Sequence, residues 1–515
     1  MATKYNGQLA LQLTVAESSG AEFEGPLGLN EALSAEGAAI KVQRTRATDK
    51  AADAATEAPC TRSSLATTVS AFDIEDEPDM VHVIPISGGA DSSALALWLH
   101  EAFPHIAFRM MMTDTGAEDA STYEFLKTIE TLTGTPIEIV KATHDLWELV
   151  AKYNGYLPSG QSRWCTRELK LVPYQKWMRQ FNGRPMTMYV GIRADEASRL
   201  AFDIEGVETV MPFKEMGWGR EQVFAYLSRK AGIPRQYETR TRSGCTVCPF
   251  VRRQEVVGLL QRNPTEFDRG RKLEKLSPAD QARHGAPDPL WQDVGIAPNW
   301  LSLQTPSREK AASAKLPQRA QADPGLFGTT GVFAAAEFFM DSFPGMEPFI
   351  WHQRFISYSP ALHTMKRQVD DRYQHLLRTA EVYEMTPEDV RRNAKFVVYY
   401  VELDDGVMDV TGPVGKSYTW QSGQSYAQVR HITDWVTRVL QGGSLSLQAK
   451  TPARSELSVE HEWQQSAIAG MAALRESGKP AGQIVHMDWY QPKEEERELS
   501  AEEAILLVPC PMCHI

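Results

Sequence analysis

Val81-His82-Val83-Ile84-Pro85-Ile86-Ser87-Gly88-Gly89-Ala90-Asp91-Ser92-Ser93 decides how this chain folds. Its first six residues are a short apolar run of the buried-strand kind. Beyond it, Leu95, Leu99 and Phe103 recur at i, i+4 and i+8, which predicts a helix over Ser92–Phe103. The two glycines between them let the backbone turn tightly and approach a ligand with no Cβ in the way. The serine hydroxyls and the free N–H groups of the helix's first turn then face one spot. Orphan donors and helix dipole together favour an anion there. The Gly-x-x-x-x-Gly-Lys-[Ser/Thr] spacing of a Walker loop is absent, which disfavours a kinase or GTPase site. The competing reading is an ordinary Ser/Asp-capped helix after a glycine turn.

Working outward, Phe108–Thr113, Ile137–Lys141 and Met186–Val190 read as strands, and Thr122–Leu132 as a helix. Strands alternating with helices predict an α/β fold, a parallel sheet with helices on both faces, over residues 78–300. Residues 1–77 read as an extension or linker. Leu9, Leu11, Leu13 and Val15 alternate there as in a strand, and 31–70 is rich in Ala, Thr, Glu and Ser. Residues 301–331 read as a second linker, and 332–515 as a separate α+β region. In that region Phe396–Leu403 and Val407–Val410 flank Asp404-Asp405-Gly406, a hairpin signal, and Ala427–Leu440 and Val459–Arg475 have helical patterns.

The chain has 515 residues, enough for two or three domains. With 42% hydrophobic and 23% charged residues it reads as a soluble globular protein. Lys plus Arg number 54 and Asp plus Glu 66, a net charge of −12, which does not describe a generic nucleic-acid coat. A local basic patch is still compatible with that balance. Between 234 and 272, nine basic residues (Arg235, Arg240, Arg242, Arg252, Arg253, Arg262, Arg269, Arg271 and Lys272) face four acidic ones. Such a patch suits DNA or tRNA. A solvated helix surface, or charge serving the phosphate site, explains it equally. No run of about 18 apolar residues predicts a membrane span, and the start lacks the apolar core of a signal peptide.

Six cysteines are too few for a disulfide scaffold, so a reducing cytoplasm is expected, where clustered cysteines point to metal or redox chemistry. Cys165 stands alone, and Gly244-Cys245-Thr246-Val247-Cys248-Pro249 follows it. A Cys-x-x-Cys pair brings two sulfurs to one metal, and a third from a distant loop completes the set. Cys510-Pro511-Met512-Cys513-His514 near the end reads as half a zinc site, as a redox dithiol closing over the phosphate site, or as a tail without chemistry. Cys60 reads as an inert thiol. Arg163, Arg167 and Lys170 are spaced i, i+4, i+7, one face of a helix, and a solvated face would look the same.

Ser87-Gly88-Gly89-Ala90-Asp91-Ser92-Ser93 resembles the Ser-Gly-Gly-x-Asp-Ser loop of the PP-loop ATP pyrophosphatases, an adenine-nucleotide α-hydrolase-like fold. Asp114-Thr115-Gly116, Arg163-Trp164-Cys165, Gly191-Ile192-Arg193-Ala194-Asp195-Glu196 and Pro212–Leu227 are similar, in order, to motifs of its phosphoadenylylsulfate (PAPS) reductase-like branch. The resemblance implies ATP or an adenylyl nucleotide at the carboxyl ends of the strands, with Mg²⁺, cut between the α- and β-phosphates. It implies phosphate contacts from Ser87, Gly88, Gly89, Ser92 and Ser93, and a loop-ordering or metal-placing role for Asp91. Asp114, with Gly116, becomes a candidate for the metal or the adenosine end. Arg163, Arg167 and Lys170 become candidate phosphate ligands, and Arg193 would neutralise charge in the transition state. Many relatives carry Lys where this chain has Ala90.

Reductases of this branch ligate a [4Fe–4S] cluster with Cys-Cys and a Cys-x-x-Cys about 80 residues later. Here Trp164 stands beside Cys165, leaving three ligands, as in some sulfur-transferring members. Zinc is the alternative metal. The implied function is ATP-dependent sulfur transfer, resembling the sulfur-transfer protein of DNA phosphorothioation and the tRNA thiolases, with a sulfur donor as partner. The alternatives are a reductase of adenylylsulfate or phosphoadenylylsulfate using a thioredoxin-type reductant, a non-catalytic nucleotide-binding protein, and adenylyl transfer without sulfur. A dimer is one possible assembly.

Overall fold

The computed structural model describes residues 72–74, 79–160, 162–181, 183–196, 199, 203–204, 206–285, 303–306, 317–319, 331–342, 348–403, 419–420, 425–448 and 482–494. It also describes two short strands, β1 (Ala10–Leu13) and β2 (Ile40–Gln43). Cys60, the Asp404-Asp405-Gly406 hairpin, the 459–475 helix and the 510–514 motif lie outside the described residues.

The first sheet is built on β3 (Val81–Pro85), β4 (Phe108–Asp114), β5 (Ile137–Lys141), β6 (Met186–Tyr189), β7 (Asp203–Ile204) and β8 (Val207–Val210). Its order is β2-β1-β7-β8-β6-β3-β4-β5. The run β8-β6-β3-β4-β5 is parallel throughout. The segment read as an N-terminal extension supplies β1 and β2, with β1 pairing β7. Helix α1 (Ala90–Ala102) follows β3, and α2 (Ala120–Thr133) follows β4. Next come α3 (Leu146–Lys152), α4 (Trp164–Thr166), a π-helical stretch Arg167–Leu171 and α5 (Val172–Met178).

Alternation along the strands places the layers. Ile84 and Ile86 with Met110 and Met112 pack against α1, α2 and α6 (Arg220–Ala231). Val83, Met111, Met186 and Met188 pack on the other face, against Tyr174 and Trp177 of α5. Successive side chains of a strand point to opposite faces, so both faces are covered, as a parallel sheet requires. The chain runs rightward from β3 to β4 and β5, then returns to the left of β3 as β6. That reversal opens a crevice at the carboxyl ends of β3 and β6, the usual ligand position of such sheets.

The second sheet, β10-β9-β11-β12, is antiparallel and comprises β9 (Gly331–Asp341), β10 (Phe349–Ser359), β11 (Ala394–Glu402) and β12 (Gln483–Tyr490). Phe333, Ala335, Val398 and Tyr400 face α9 (Leu362–Arg378) and α10 (Pro387–Asn393), taking α7 (Arg253–Arg262) and α8 (Pro264–Lys272) as the preceding helices. Val332, Ala334, Phe338 and Val397 face α11 (Tyr426–Gln448) and also Val247, Val256, Leu260 and Phe267 of the first domain. One hydrophobic cluster therefore joins the second sheet to the cysteine-bearing segment.

Candidate functional site

The loop after β3 is built as its composition demands. Gly88 has φ +67°, and a Cβ there would stand 2.5 Å from Thr122 Cγ2. Only glycine relieves both constraints. Ser87 N donates to Ser92 Oγ at 3.1 Å, and the hydroxyls of Ser87 and Ser92 lie 3.2 Å apart. Helix α1 starts at Ala90, two residues before the apolar spacing alone suggested. Ser92 and Ser93 are buried, and Ser93 Oγ has no hydrogen-bond partner among the described residues.

Asp91 and Arg193, read separately from sequence, meet at the crevice. Arg193 Nη1 donates to Asp91 Oδ2 at 2.6 Å, tying the loop after β3 to the loop after β6. Burial pushes the Asp91 carboxyl upward and the Arg193 guanidinium opposes it. Arg193 also contacts Asp195 at 2.9 Å and Glu196 at 3.8 Å. Three carboxylates thus surround the cation proposed to neutralise phosphate. Gly191 packs on the Asp91 backbone, where a Cβ would stand 3.0 Å from its carbonyl.

Asp114 ends β4. One oxygen accepts from Gly116 N at 2.8 Å and from Tyr123 OH at 2.6 Å, and the other faces Lys141 Nζ at 3.1 Å. Burial raises its carboxyl, but these donors outweigh burial and hold it below the ordinary range. Its oxygens therefore shape the Gly116 turn, where φ is +72°.

The three cysteines converge. Cys165, Cys245 and Cys248 line one cavity of about 40 Å³ together with Thr115, Arg163 and Lys170. Thr115 Oγ1 lies 3.2 Å from Cys245 Sγ, and Arg242 Nη2 lies 3.8 Å from Cys248 Sγ. Burial, then neighbouring Cys248, pushes the Cys165 thiol up to about 12, and burial also raises Cys245. Among the described residues, no group of three His, Cys, Asp or Glu side chains is spaced to hold a single metal ion.

Two sequence readings change. Arg163, Arg167 and Lys170 do not form one helical face. The wider π turn at Arg167–Leu171 changes the angular spacing. Arg163 and Lys170 reach the cavity, while Arg167 is exposed beside Glu168 at 3.8 Å. Of the nine basic residues of 234–272, Arg240 is buried and five are half-buried in contacts within the chain. Arg240 donates to Gly244 O and Cys245 O, Arg252 pairs with Asp371, and Arg253 donates to Tyr358 O. Arg262 forks onto Asp119 at 2.6 and 2.7 Å, Arg271 pairs with Asp268, and Arg242 lies beside Cys248. Only Arg235, Arg269 and Lys272 of the nine are exposed. Counting charge signs along a sequence does not see burial.

Sequence reading missed Gln236, Tyr237 and Ser243. Gln236 Nε2 donates to Gly88 O at 2.8 Å, Ala90 N donates to Tyr237 OH at 2.8 Å, and Ser243 Oγ lies against Gly89. Thr246 N then donates to Ala117 O at 2.8 Å, beside the cysteines. Residues 236–248 thus form a strap from the glycine loop to the cysteine cavity. Their only sequence signal was proximity to Cys-x-x-Cys.

A parallel sheet with a Ser-Gly-Gly loop at the switch point after its middle strand defines an α/β domain of the PP-loop class. Residues 81–247 match the family model of the phosphoadenosine phosphosulfate reductase domain. That segment, about a third of the chain, is similar to the PAPS reductase domain, which supports nucleotide-related sulfur chemistry at the level of the family. An uncharacterized protein of Escherichia phage 186 is 24% identical, over 39% of this chain and 77% of that one. An uncharacterized protein of Methanocaldococcus jannaschii is 27% identical, over 34% of this chain and 37% of that one. A crystal structure of phosphoadenylyl-sulfate reductase from Candida auris, a phosphate complex, is similar with 15% identity and TM-score 0.27, covering 33% of this chain and 82% of that one. No helix among the described residues is long and apolar enough to cross a membrane.

Proposed function

We propose that this chain is an ATP-dependent sulfurtransferase. It would bind ATP with Mg²⁺ at Ser87–Ser93 and transfer the adenylyl group to an oxygen of the acceptor with release of pyrophosphate; sulfide-level sulfur held at the three-cysteine cavity would then displace AMP. The observation that carries this reading is the strap. Residues 236–248 touch Gly88, Gly89 and Ala90 at one end and bring Cys245 and Cys248 beside Cys165 at the other.

Three cysteines lining one cavity would suit an iron–sulfur cluster or zinc, and we take the cluster. A cluster spreads its ligands over several irons. Cys165, Cys245 and Cys248 would hold it, and with three protein thiolates it would supply one iron with an exchangeable position for sulfur. Without a metal the half-buried Cys165 and Cys245 stay neutral thiols, poor nucleophiles at neutral pH. Arg163 and Lys170 supply positive charge beside them. Asp91 and Arg193 lock the two loops of the crevice, so that the α1 amides and the Ser87 and Ser92 hydroxyls keep one orientation toward phosphate.

The test is pyrophosphate release from ATP and Mg²⁺, with a sulfide donor and with nucleic-acid and small-molecule acceptors compared. Release by the wild type and its loss in Asp91→Asn is the expected result. Wild-type release in a folded Asp91→Asn would refute the loop assignment. Sulfite release from phosphoadenylyl sulfate with thioredoxin would favour the reductase. Nucleotide binding without pyrophosphate or sulfite would favour a non-catalytic binding protein.

A further inference from the structure

Glu337 lies in the middle of β9 and is fully buried. A buried carboxylate persists only when paired and hydrogen-bonded. Arg372 meets it with a fork, Nε to Oε2 at 2.6 Å and Nη2 to Oε1 at 2.9 Å. Burial pushes Glu337 upward, but the guanidinia of Arg372 and Arg354 hold it well below the ordinary range. The fork leaves Arg372 Nη1 for the carbonyl of Glu238, at 2.8 Å. Arg354 Nη1 and Tyr383 OH reach the same carbonyl at 3.2 and 3.3 Å. One residue earlier, His375 Nε2 meets the carbonyl of Tyr237. Burial, with Arg372 nearby, lowers that imidazole to about 3, so it is neutral and its Nε2 carries the donated proton.

Two successive carbonyls of the strap are therefore held by four side chains of the C-terminal domain. The neighbouring side chains, Gln236 and Tyr237, hold Gly88 O and Ala90 N of the phosphate loop. We propose that Arg372, fixed by Glu337, and His375 are positioning residues for that loop. They hold the backbone of 237–238 and through it the conformation of Gly88–Ala90. The C-terminal domain, which lies outside the segment matched by the family, is then a working part of the nucleotide site. The functional consequence rests on the reading of Ser87–Ser93 as a nucleotide loop; the mechanical coupling does not.

Amide hydrogen exchange of peptides covering 86–93 tests this in the full chain without nucleotide. Arg372→Lys keeps a charge beside Glu337 but loses the fork onto it, and with the fork the bond to the Glu238 carbonyl. Tyr237→Phe removes only the hydroxyl. Val398→Ala, in the same domain's core, is the stability control. Arg372→Lys and Tyr237→Phe are expected to speed loop exchange roughly tenfold, with Val398→Ala near the wild-type rate. Unchanged loop exchange in Arg372→Lys, or equal acceleration in Val398→Ala, would overturn the proposal. ATP titration of the wild type reads the nucleotide assignment separately. Coupled exchange in a chain that binds no ATP would sink that assignment and leave the positioning intact.

Discussion

Gly88 carries the most local demand of the fold. Its φ of +67° is strained for any other residue, and an added Cβ would meet Thr122 Cγ2. Gly88→Ala is expected to lose about 1–3 kcal/mol, read as a lower thermal midpoint, together with loss of ATP binding. An unchanged midpoint would show that the loop is not held as described. Asp91 makes a different demand. Arg193 keeps Asp195 and Glu196 when Asp91 is lost, so the change removes one charge-assisted hydrogen bond, about 1.5–3 kcal/mol. Asp91→Ala is therefore expected to lower stability by that order, and Asp91→Asn by less, since its amide oxygen still accepts from Arg193. Denaturant midpoints of both variants decide this; equal midpoints would deny the pair its structural weight. The Ser-Gly-Gly loop was legible because tight turns and anion cradles restrict residue type. Tyr237 was not, because one hydroxyl against one amide imposes no spacing a sequence displays.

Helix α9 works through buried polar groups, and that gives it a pH signature. His375 sits at about 3 in the folded chain against an ordinary value of 6.5. Between those values the unfolded chain binds the extra proton, so stability falls as pH drops through that window. The slope is at most about 1.4 kcal/mol per pH unit. His431, lowered to about 4 by burial, adds a slope of the same sign. His375→Gln is expected to flatten part of the loss between pH 7 and 5, a range above the ordinary titration of Glu337. Denaturant melts at the two pH values measure it; an unchanged slope would mean that His375 titrates normally. The strands and helices around the loop followed from apolar periodicity, and Ile137–Lys141 coincides with its strand. Periodicity did not announce β9, an Ala-rich run with Glu337 inside it, because what makes Glu337 tolerable is Arg372, distant in sequence. The same blindness to distant partners hid that six of the nine basic residues of 234–272 are engaged within the chain, and the π turn displaced Arg167 from its expected face.

The second sheet shares one hydrophobic cluster with the cysteine segment and helices α7 and α8, in which Phe338 and Val397 pack with Val247, Val256 and Phe267. A chain built this way is expected to unfold in one calorimetric transition, because exposing either side strips the other's core. Two well-separated transitions would contradict it. The shared core also places the cysteine strap between the glycine loop and the second sheet, so the glycine loop, the cysteine cavity and the C-terminal domain form one unit. The most direct measurement is iron, acid-labile sulfide and zinc per chain after strictly anaerobic purification, with Cys245→Ser alongside. Iron and sulfide near about four each, lost in the variant, is the expected result. Zinc alone, or no metal in a wild type that still releases pyrophosphate, would contradict the cluster and leave the three cysteines a structural role.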